Sequence, residues 1–390
     1  MVEWKKICQI SSNVFAGGTP NTKHKEFYDG EIPWIRSGEI DFNVITSAQR
    51  NITQAGLTNS SAKLIRKGSV VMAMTGATVA KTAIVDFETA ANQSVCAIET
   101  NESIANYRFI YYSLANNYFK IKSSAQGALT SLNLAMIKQI KLPIPSLSEQ
   151  KHIVDILDTF TASIENLNQQ IAERRKQFEH YRDTLLDFEG TKEVISWLSF
   201  GEDFMLKARI GWQGLTKKEY RKKGAYKLIT GTDFTTDNKI AFENCVYVDK
   251  ERYDQDPYIQ IRESDVLITK DGTLGKIAYI EKLDMPATLN GGIFVVRDLT
   301  ERVKQKFLMY YLTSSVFKDW MKRNHTQGSI KHLTQTLLSK FTIPVIAADK
   351  QCAIIEKLDS FTTLISKLEE ERDLHQKQYE YYREKLLTFE

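Results

Sequence analysis

Residues 153–189, IVDILDTFTASIENLNQQIAERRKQFEHYRDTLLDFE, reappear 201 positions later as IIEKLDSFTTLISKLEEERDLHQKQYEYYREKLLTFE, with 16 identities in 37 positions. The first copy places Ile153, Leu157, Phe160, Ile164, Leu167, Ile171, Phe178, Tyr181, Leu185 and Phe188 at alternating four- and three-residue spacing, interrupted at Arg174. The second carries Ile354, Leu358, Phe361, Ile365, Leu368, Tyr379, Tyr382, Leu386 and Phe389, interrupted at Arg372 and His375. A sustained heptad with polar flanks is the seam of a coiled coil, and so narrow a stripe needs a partner helix. Each segment predicts a helix about 55 Å long at 1.5 Å per residue. Pro145, Ser146 and Glu149 supply a start signal for the first.

The duplication extends upstream. Gln126-Gly127 matches Gln327-Gly328, and Pro143 matches Pro344, at the same offset. Residues 30–40 resemble residues 224–234. TGATVAKTAIV from Thr75 returns as KDGTLGKIAYI from Lys270. The chain is therefore one plan used twice, a mixed domain followed by a long helix. The domain boundaries fall at residues 1–147, 148–189, 190–347 and 348–390. A domain of about 155 residues has a radius of gyration near 15 Å and cannot bridge helix ends about 55 Å apart. The two helices are thus expected to pair antiparallel within one chain, with helix pairing between two chains as the competing arrangement. The fold class is α+β: two pseudo-two-fold-related mixed α/β domains separated by an antiparallel two-helix coiled coil.

Each domain reads as short strands with turns, at residues 70–74, 82–86 and 95–99 and again at 245–248, 266–268 and 293–296, with one helix before each rod (106–124 and 304–322). Hydrophobic residues at 42% and charged residues at 26% give an ordinary globular balance. Cys8, Cys96, Cys245 and Cys352 form no CxxC pair, which fits a reducing cytoplasm and argues against a disulfide framework or zinc site. No 18-residue apolar run and no signal-peptide core are present in the sequence, so a cytoplasmic, non-membrane protein is expected.

The net charge is only +4, but the cations are unevenly placed. Residues 207–227 hold Lys207, Arg209, Lys217, Lys218, Arg221, Lys222, Lys223 and Lys227 against the single acid Glu219. Residues 304–340 and 119–141 are likewise basic. Basic runs on corresponding parts of a duplicated frame point to phosphate contacts, which set affinity but not sequence choice. Two heads at a fixed separation suit a duplex whose half-sites repeat about every 34–36 Å, with the rod as a ruler.

In this order, and twice, the Gly-rich opening turns (GGTPNTKHKEFYDGEIPWI, GAYKLITGTDF), the GxTxxK-type turns (Gly76, Thr78, Lys81; Gly272, Thr273, Lys276) and the lead-ins QGALTSLNLAMIKQIKLPIPSLSEQ and QGSIKHLTQTLLSKFTIPVIAADKQ resemble the specificity (S) subunit of type I restriction-modification enzymes across essentially the whole chain. The resemblance implies two target recognition domains, each reading half of a bipartite double-stranded DNA sequence. It implies helices that dock two methyltransferase (M) subunits, and restriction/translocase (R) subunits assembling on that core of two M subunits and one S subunit. In this sequence the second helix is expected to run to Glu390 without the tail that a longer C-terminus would add.

Residues common to both heads cannot distinguish two different half-sites. Thr75, Thr78, Lys81, Lys270, Thr273 and Lys276 are therefore assigned to frame-building or DNA-backbone contact. Gln126 and Gln327 could pair with adenine but also recur, which favours bracing or phosphate contact. Base readers are expected where the heads differ, around residues 36–39 (Arg36, Ser37) and 54–61 in the first, and 217–223 (Lys217, Lys218, Arg221, Lys222) and 253–258 in the second. Trp34, Trp212 and Trp320 read as core aromatics.

No catalytic, cofactor or metal set is expected. None of the seven prolines adjoins another, so the Asn/Asp-Pro-Pro-aromatic loop of adenine methyltransferases is missing from the sequence. No GxxxxGK[ST] and no HExxH occurs. A non-catalytic DNA-reading subunit is the favoured reading. A self-contained DNA-modifying enzyme and a coiled-coil scaffold for other proteins are the alternatives.

Overall fold

The structure, a computed structural model, describes residues 2–125, 131–210, 214–324 and 333–389. It divides into two compact units, Met1–Asn168 with Glu370–Glu390, and Gln169–Glu369.

In the first unit, the central five-stranded sheet runs in the order Ser11–Ala16, Val95–Thr100, Ser69–Ala73, Thr82–Val85, Val44–Ile45. Its middle strand reads SVVMA and is buried throughout, because both faces of the sheet are covered. Successive side chains point to opposite faces. Val70 and Met72 therefore join Cys96, Ile98, Phe109, Ile110 and Leu114 on the helical side. Val71 and Ala73 join Ile35, Ile40, Ile65 and Val95 on the other. That second layer belongs to a four-stranded sheet ordered Asn51–Ile52, Tyr28–Ile35, Thr89–Ala91, Leu64–Ile65. Glu3–Lys6 pairs antiparallel with Lys141–Ile144 ahead of the first long helix, Leu147–Leu185.

The second unit repeats the scheme. A four-stranded sheet runs Phe204–Lys207, Ile293–Asp298, Val266–Thr269, Ile277–Tyr279, and a three-stranded one runs Val246–Val248, Tyr226–Ile229, Ala287–Leu289. Val266 and Ile268 face Phe307, Leu308 and Tyr311, while Leu267 faces Ile229, Phe234 and Leu289. Ser196–Ser199 pairs antiparallel with Thr342–Val345 ahead of the second long helix, Ala348–Leu387.

The expectation of one helix before each rod needs correction. The first unit has Tyr107–Asn116, Tyr118–Ser123 and Leu134–Gln139 there, and the second has Gln305–Thr313, Ser315–Asn324 and Gln335–Leu338. Polar side chains that compete for the backbone set the breaks. Asn117 leaves helical geometry (φ −91°, ψ 12°) and its amide donates to the Ser113 carbonyl at 2.8 Å. Ser314 is extended (φ −71°, ψ 169°) and its hydroxyl donates to the Tyr311 carbonyl at 2.7 Å. The short third helix starts on a side-chain cap in each unit. Asn133 accepts from Met136 N at 2.9 Å and Thr334 from Leu337 N at 3.1 Å.

Within each unit, segments of the two long helices meet antiparallel. In the first, Phe160 stacks on Tyr382 at 5.3 Å, and Ser163 meets His375 at 2.8 Å. In the second, Arg175 pairs with Glu369 at 2.5 Å, and Tyr181 stacks on Phe361 at 5.3 Å. Rising numbers on one helix meet falling numbers on the other in both units, and the partners belong to one chain. His375, an interruption of the heptad, is a seam residue held by a serine.

One polar clamp fastens each domain to its helix. Gln150, fully buried, accepts from Asn106 N at 2.8 Å and donates to Ile104 O and Pro145 O. Gln351 accepts from Lys304 N at 2.8 Å and donates to Arg302 O and Ile346 O. Unpaired polar groups in an interior are costly, and each glutamine satisfies one backbone N–H and two backbone carbonyls around the helix starts.

Candidate nucleic-acid interface

The duplicated Gly-rich stretch is an antiparallel hairpin in both units. Ser69–Ala73 pairs with Thr82–Val85, and Val266–Thr269 with Ile277–Tyr279. Each hairpin closes on itself: Ala80 N donates to Ala73 O at 2.8 Å, and Gly275 N to Thr269 O at 2.9 Å. Gly76 (φ +80°) and Gly272 (φ +72°) occupy the left-handed region that side chains disfavour, which is why the glycine recurs. Thr269 tightens the second turn further, its hydroxyl accepting from Lys276 N at 2.9 Å and donating to Thr273 O.

The residue before each turn is a junction. Met74 N donates to Ser94 O at 2.8 Å, and Lys270 N to Gly292 O at 2.8 Å. Their carbonyls accept from Leu132 N at 2.8 Å and Leu333 N at 3.0 Å. The chain after each Gln-Gly pair therefore docks beside the hairpin turn in both units. Gln126 and Gln327 themselves lie outside the described residues, as does Trp212.

A third loop reaches the same edge. The strand Tyr28–Ile35 turns at residues 36–39, and Tyr226–Ile229 turns at residues 230–233. The two turns are built alike. Ile35 O accepts from Asn92 N at 3.0 Å, and Ile229 O from Asn290 N at 2.9 Å. The Glu39 carboxylate accepts from Arg36 N at 2.8 Å, and that of Asp233 from Thr230 N at 2.7 Å. Thr78 donates its hydroxyl to Ser37 O at 2.8 Å, tying the hairpin turn to this loop. Residues 36–39, with Gln49 and Asn92, line a cleft of about 420 Å³.

The predicted cations separate into groups. Lys217, Lys218 and Lys222 are exposed and have no ion-pair partner among the described residues. Lys276 is half-buried and likewise without one. Arg221 is exposed but pairs with Asp249 at 2.8 Å. Lys81 pairs with Asp41 beside the Phe42 ring, and Lys270 lies 5.3 Å over the Phe294 ring. Thr273 is exposed and Thr75 half-buried.

Two members of the basic run 207–227 are interior and do not form part of an exposed patch. Arg209 is 2% exposed, with Nε on Leu289 O (2.9 Å), Nη1 on Gln255 (3.0 Å) and Nη2 on Thr288 (3.2 Å). Lys227 is 5% exposed and pairs with Asp284 at 2.7 Å. Buried charges need partners, and these two have them. Trp34 is a core residue that donates to Gly18 O at 3.0 Å, while Trp320 is half-buried against the core, stacked on Phe317.

Residues 230–233 are a loop position that sequence reasoning misses. The signal is present, because residues 30–40 align with 224–234. It is masked by the second head's charge, which lies elsewhere, at residues 217–223. The structure ties those regions together, since Tyr220 Oη accepts from the Asn290 amide at 2.9 Å beside the turn.

Two mixed domains of one design, each presenting a shared hairpin turn beside a variable loop, define a tandem recognition-domain protein. The chain belongs to the family described as the type I restriction modification DNA specificity domain, whose profile matches residues 1–174 and 213–375. It is 32% identical over 204 residues to the EcoR124I/EcoR124II specificity subunit of Escherichia coli, covering 50% of each chain, so it spans half the length of that relative. A specificity subunit from Haemophilus influenzae is 28% identical over 311 residues, covering 77% of this chain and 76% of its own. In fold, the chain is similar to the type I S subunit from M. genitalium (TM-score 0.62, 16% identity, 100% and 97% coverage). It is also similar to a chain solved in work on complex assembly and conformational transition of the type I R-M system (TM-score 0.65, 17% identity, 99% and 97% coverage).

Proposed function

We propose that this chain reads a bipartite double-stranded DNA target, one half-site per recognition domain, in the cytoplasm. The domains are residues 1–147 and 190–347. The antiparallel helices, residues 148–189 and 348–390, set the number of unread base pairs between the half-sites. The same assembly docks two methyltransferase subunits, and restriction/translocase subunits join through the core so formed.

The observation carrying this reading is the pairing of a shared frame with a variable loop, found in both units. The shared turn (Thr75, Thr78 and Lys81; Lys270, Thr273 and Lys276), with Gln126 and Gln327, builds the frame and contacts the DNA backbone. Lys217, Lys218, Arg221 and Lys222 add phosphate contacts. Backbone contacts fix register without carrying sequence information, which suits residues that recur in both halves.

The test is co-expression with the cognate methyltransferase and genome-wide mapping of modified adenines. Two short defined segments flanking an unread gap are expected. A continuous motif, or modification without sequence preference, overturns the proposal.

A further inference from the structure

The loops at residues 36–39 and 230–233 hold the same place in the two units, on the same backbone hydrogen bonds, yet differ in side chain. Arg36, Ser37 and Gly38 stand where the second unit has Thr230, Gly231 and Thr232. Glu39 and Asp233 are the shared element, and each commits its carboxylate to the turn's own backbone.

Arg36 is the unusual member. Its side chain is 40% exposed, and its Nε lies 4.0 Å from Glu39, too long for a hydrogen bond. Nη2 donates to the neutral Gln49 amide oxygen at 3.1 Å, while Nε is buried without a hydrogen-bond partner. The guanidinium is thus held by an amide and by a long ion pair to Glu39, with no carboxylate hydrogen-bonded to it. Arg36 lines the cleft with Gln49 and Asn92, and its Nη1 makes no hydrogen bond among the described residues. A guanidinium fork with free N–H groups matches the O6 and N7 acceptors of guanine in the major groove. In the second unit the two threonine hydroxyls face each other at 2.8 Å, and no guanidinium occupies the loop.

We propose that these loops are equivalent base-reading positions, that Arg36 reads a guanine in the half-site of the first unit, and that the second unit reads its half-site at this position without an arginine fork. This rests on the DNA-reading function proposed above and adds the identity of one base.

The experiment compares the complete chain, co-expressed with its methyltransferase, as wild type, Arg36→Lys and Arg36→Ala. Adenine-modification motifs are mapped, and competition binding is measured on duplexes carrying each of the four bases at the affected position. Lysine keeps the charge and loses the fork, so it guards against a result caused by misfolding. The expected outcome is that one guanine, in one half-site only, becomes degenerate in Arg36→Ala and loses part of its preference in Arg36→Lys, which keeps a charged donor without the fork. In Arg36→Ala its preference over other bases should fall from roughly ten- to hundred-fold to near parity. Unchanged motifs, changes in both half-sites, or equal weakening for all four bases each overturn the guanine assignment. Absence of any bipartite motif in the wild type overturns the underlying DNA-reading function instead.

Discussion

The phenol of Tyr112 donates to Asp158 on the first long helix at 2.6 Å, and Arg108 reaches the same carboxylate at 2.7 Å. The second unit repeats the arrangement, with Tyr310 donating to Asp359 at 2.6 Å and Lys306 at 2.8 Å. Burial raises the Tyr112 and Tyr310 hydroxyls well above the ordinary phenol range, and the adjacent carboxylates add to the shift. Both phenols therefore remain protonated donors. Hydrogen bonds to charged groups contribute about 1.5–3 kcal/mol, less where the acceptor is partly solvated. Tyr112→Phe and Tyr310→Phe should each cost about 1–2 kcal/mol, read as a lower urea midpoint with an unchanged slope.

Gln150→Leu should cost more. It leaves Asn106 N and two carbonyls without their partner, at about 1–3 kcal/mol for each group that water cannot reach. Hydrogen exchange should show reduced protection at residues 104–106 and at the start of the first long helix. Gln351→Leu should do the same at residues 302–304 and 346–351. Unaltered protection in either variant would mean that the clamp contributes little.

Acid should expose one charge contact. Burial works against ionisation of Asp183, but hydrogen bonds from Arg182 and from Ser315 N outweigh this and lower its pKa. A carboxylate with a depressed folded pKa stabilises above its unfolded value, and that contribution disappears as pH falls through the folded value. Asp183→Asn should therefore be less stable than wild type near pH 7. The gap should close as pH drops below about 4, measured as melting temperature against pH.

The exposed lysines should act on affinity alone. Replacing Lys217, Lys218 and Lys222 together by alanine should weaken binding to all duplexes alike. The slope of log K against log salt should shrink by about 3, near one for each phosphate no longer bound. A changed modification motif would instead make them base readers.

Lengthening both long helices by four residues should add about 6 Å to the pair, close to two base-pair steps at about 3.4 Å. The tolerated gap should grow by about that amount, with each half-site retained, as seen in mapped modification motifs. Altered half-sites with the old gap would count against the helices as a spacer.

The sequence by itself determined the duplication, the two long helices, their opposed direction and the recurrence of the hairpin turn. Each of these is a local pattern or follows from chain length: Phe160, Tyr181, Phe361 and Tyr382 announce a seam by spacing alone. Which cations remain exposed was decided only in three dimensions, because neighbours distant in sequence determine burial. Arg209 and Lys227 sit in the same basic run as Lys217, yet Thr288, Leu289 and Asp284 take them inside. The helix breaks at Asn117 and Ser314 were likewise hidden, since a polar side chain bonding its own backbone looks no different in sequence from a solvated one. The equivalence of residues 36–39 and 230–233 rests on hydrogen bonds to Asn92 and Asn290, more than 50 residues downstream in each unit. Only the parallel pairing of Tyr28–Ile35 with Thr89–Ala91, and of Tyr226–Ile229 with Ala287–Leu289, brings those groups to the same edge.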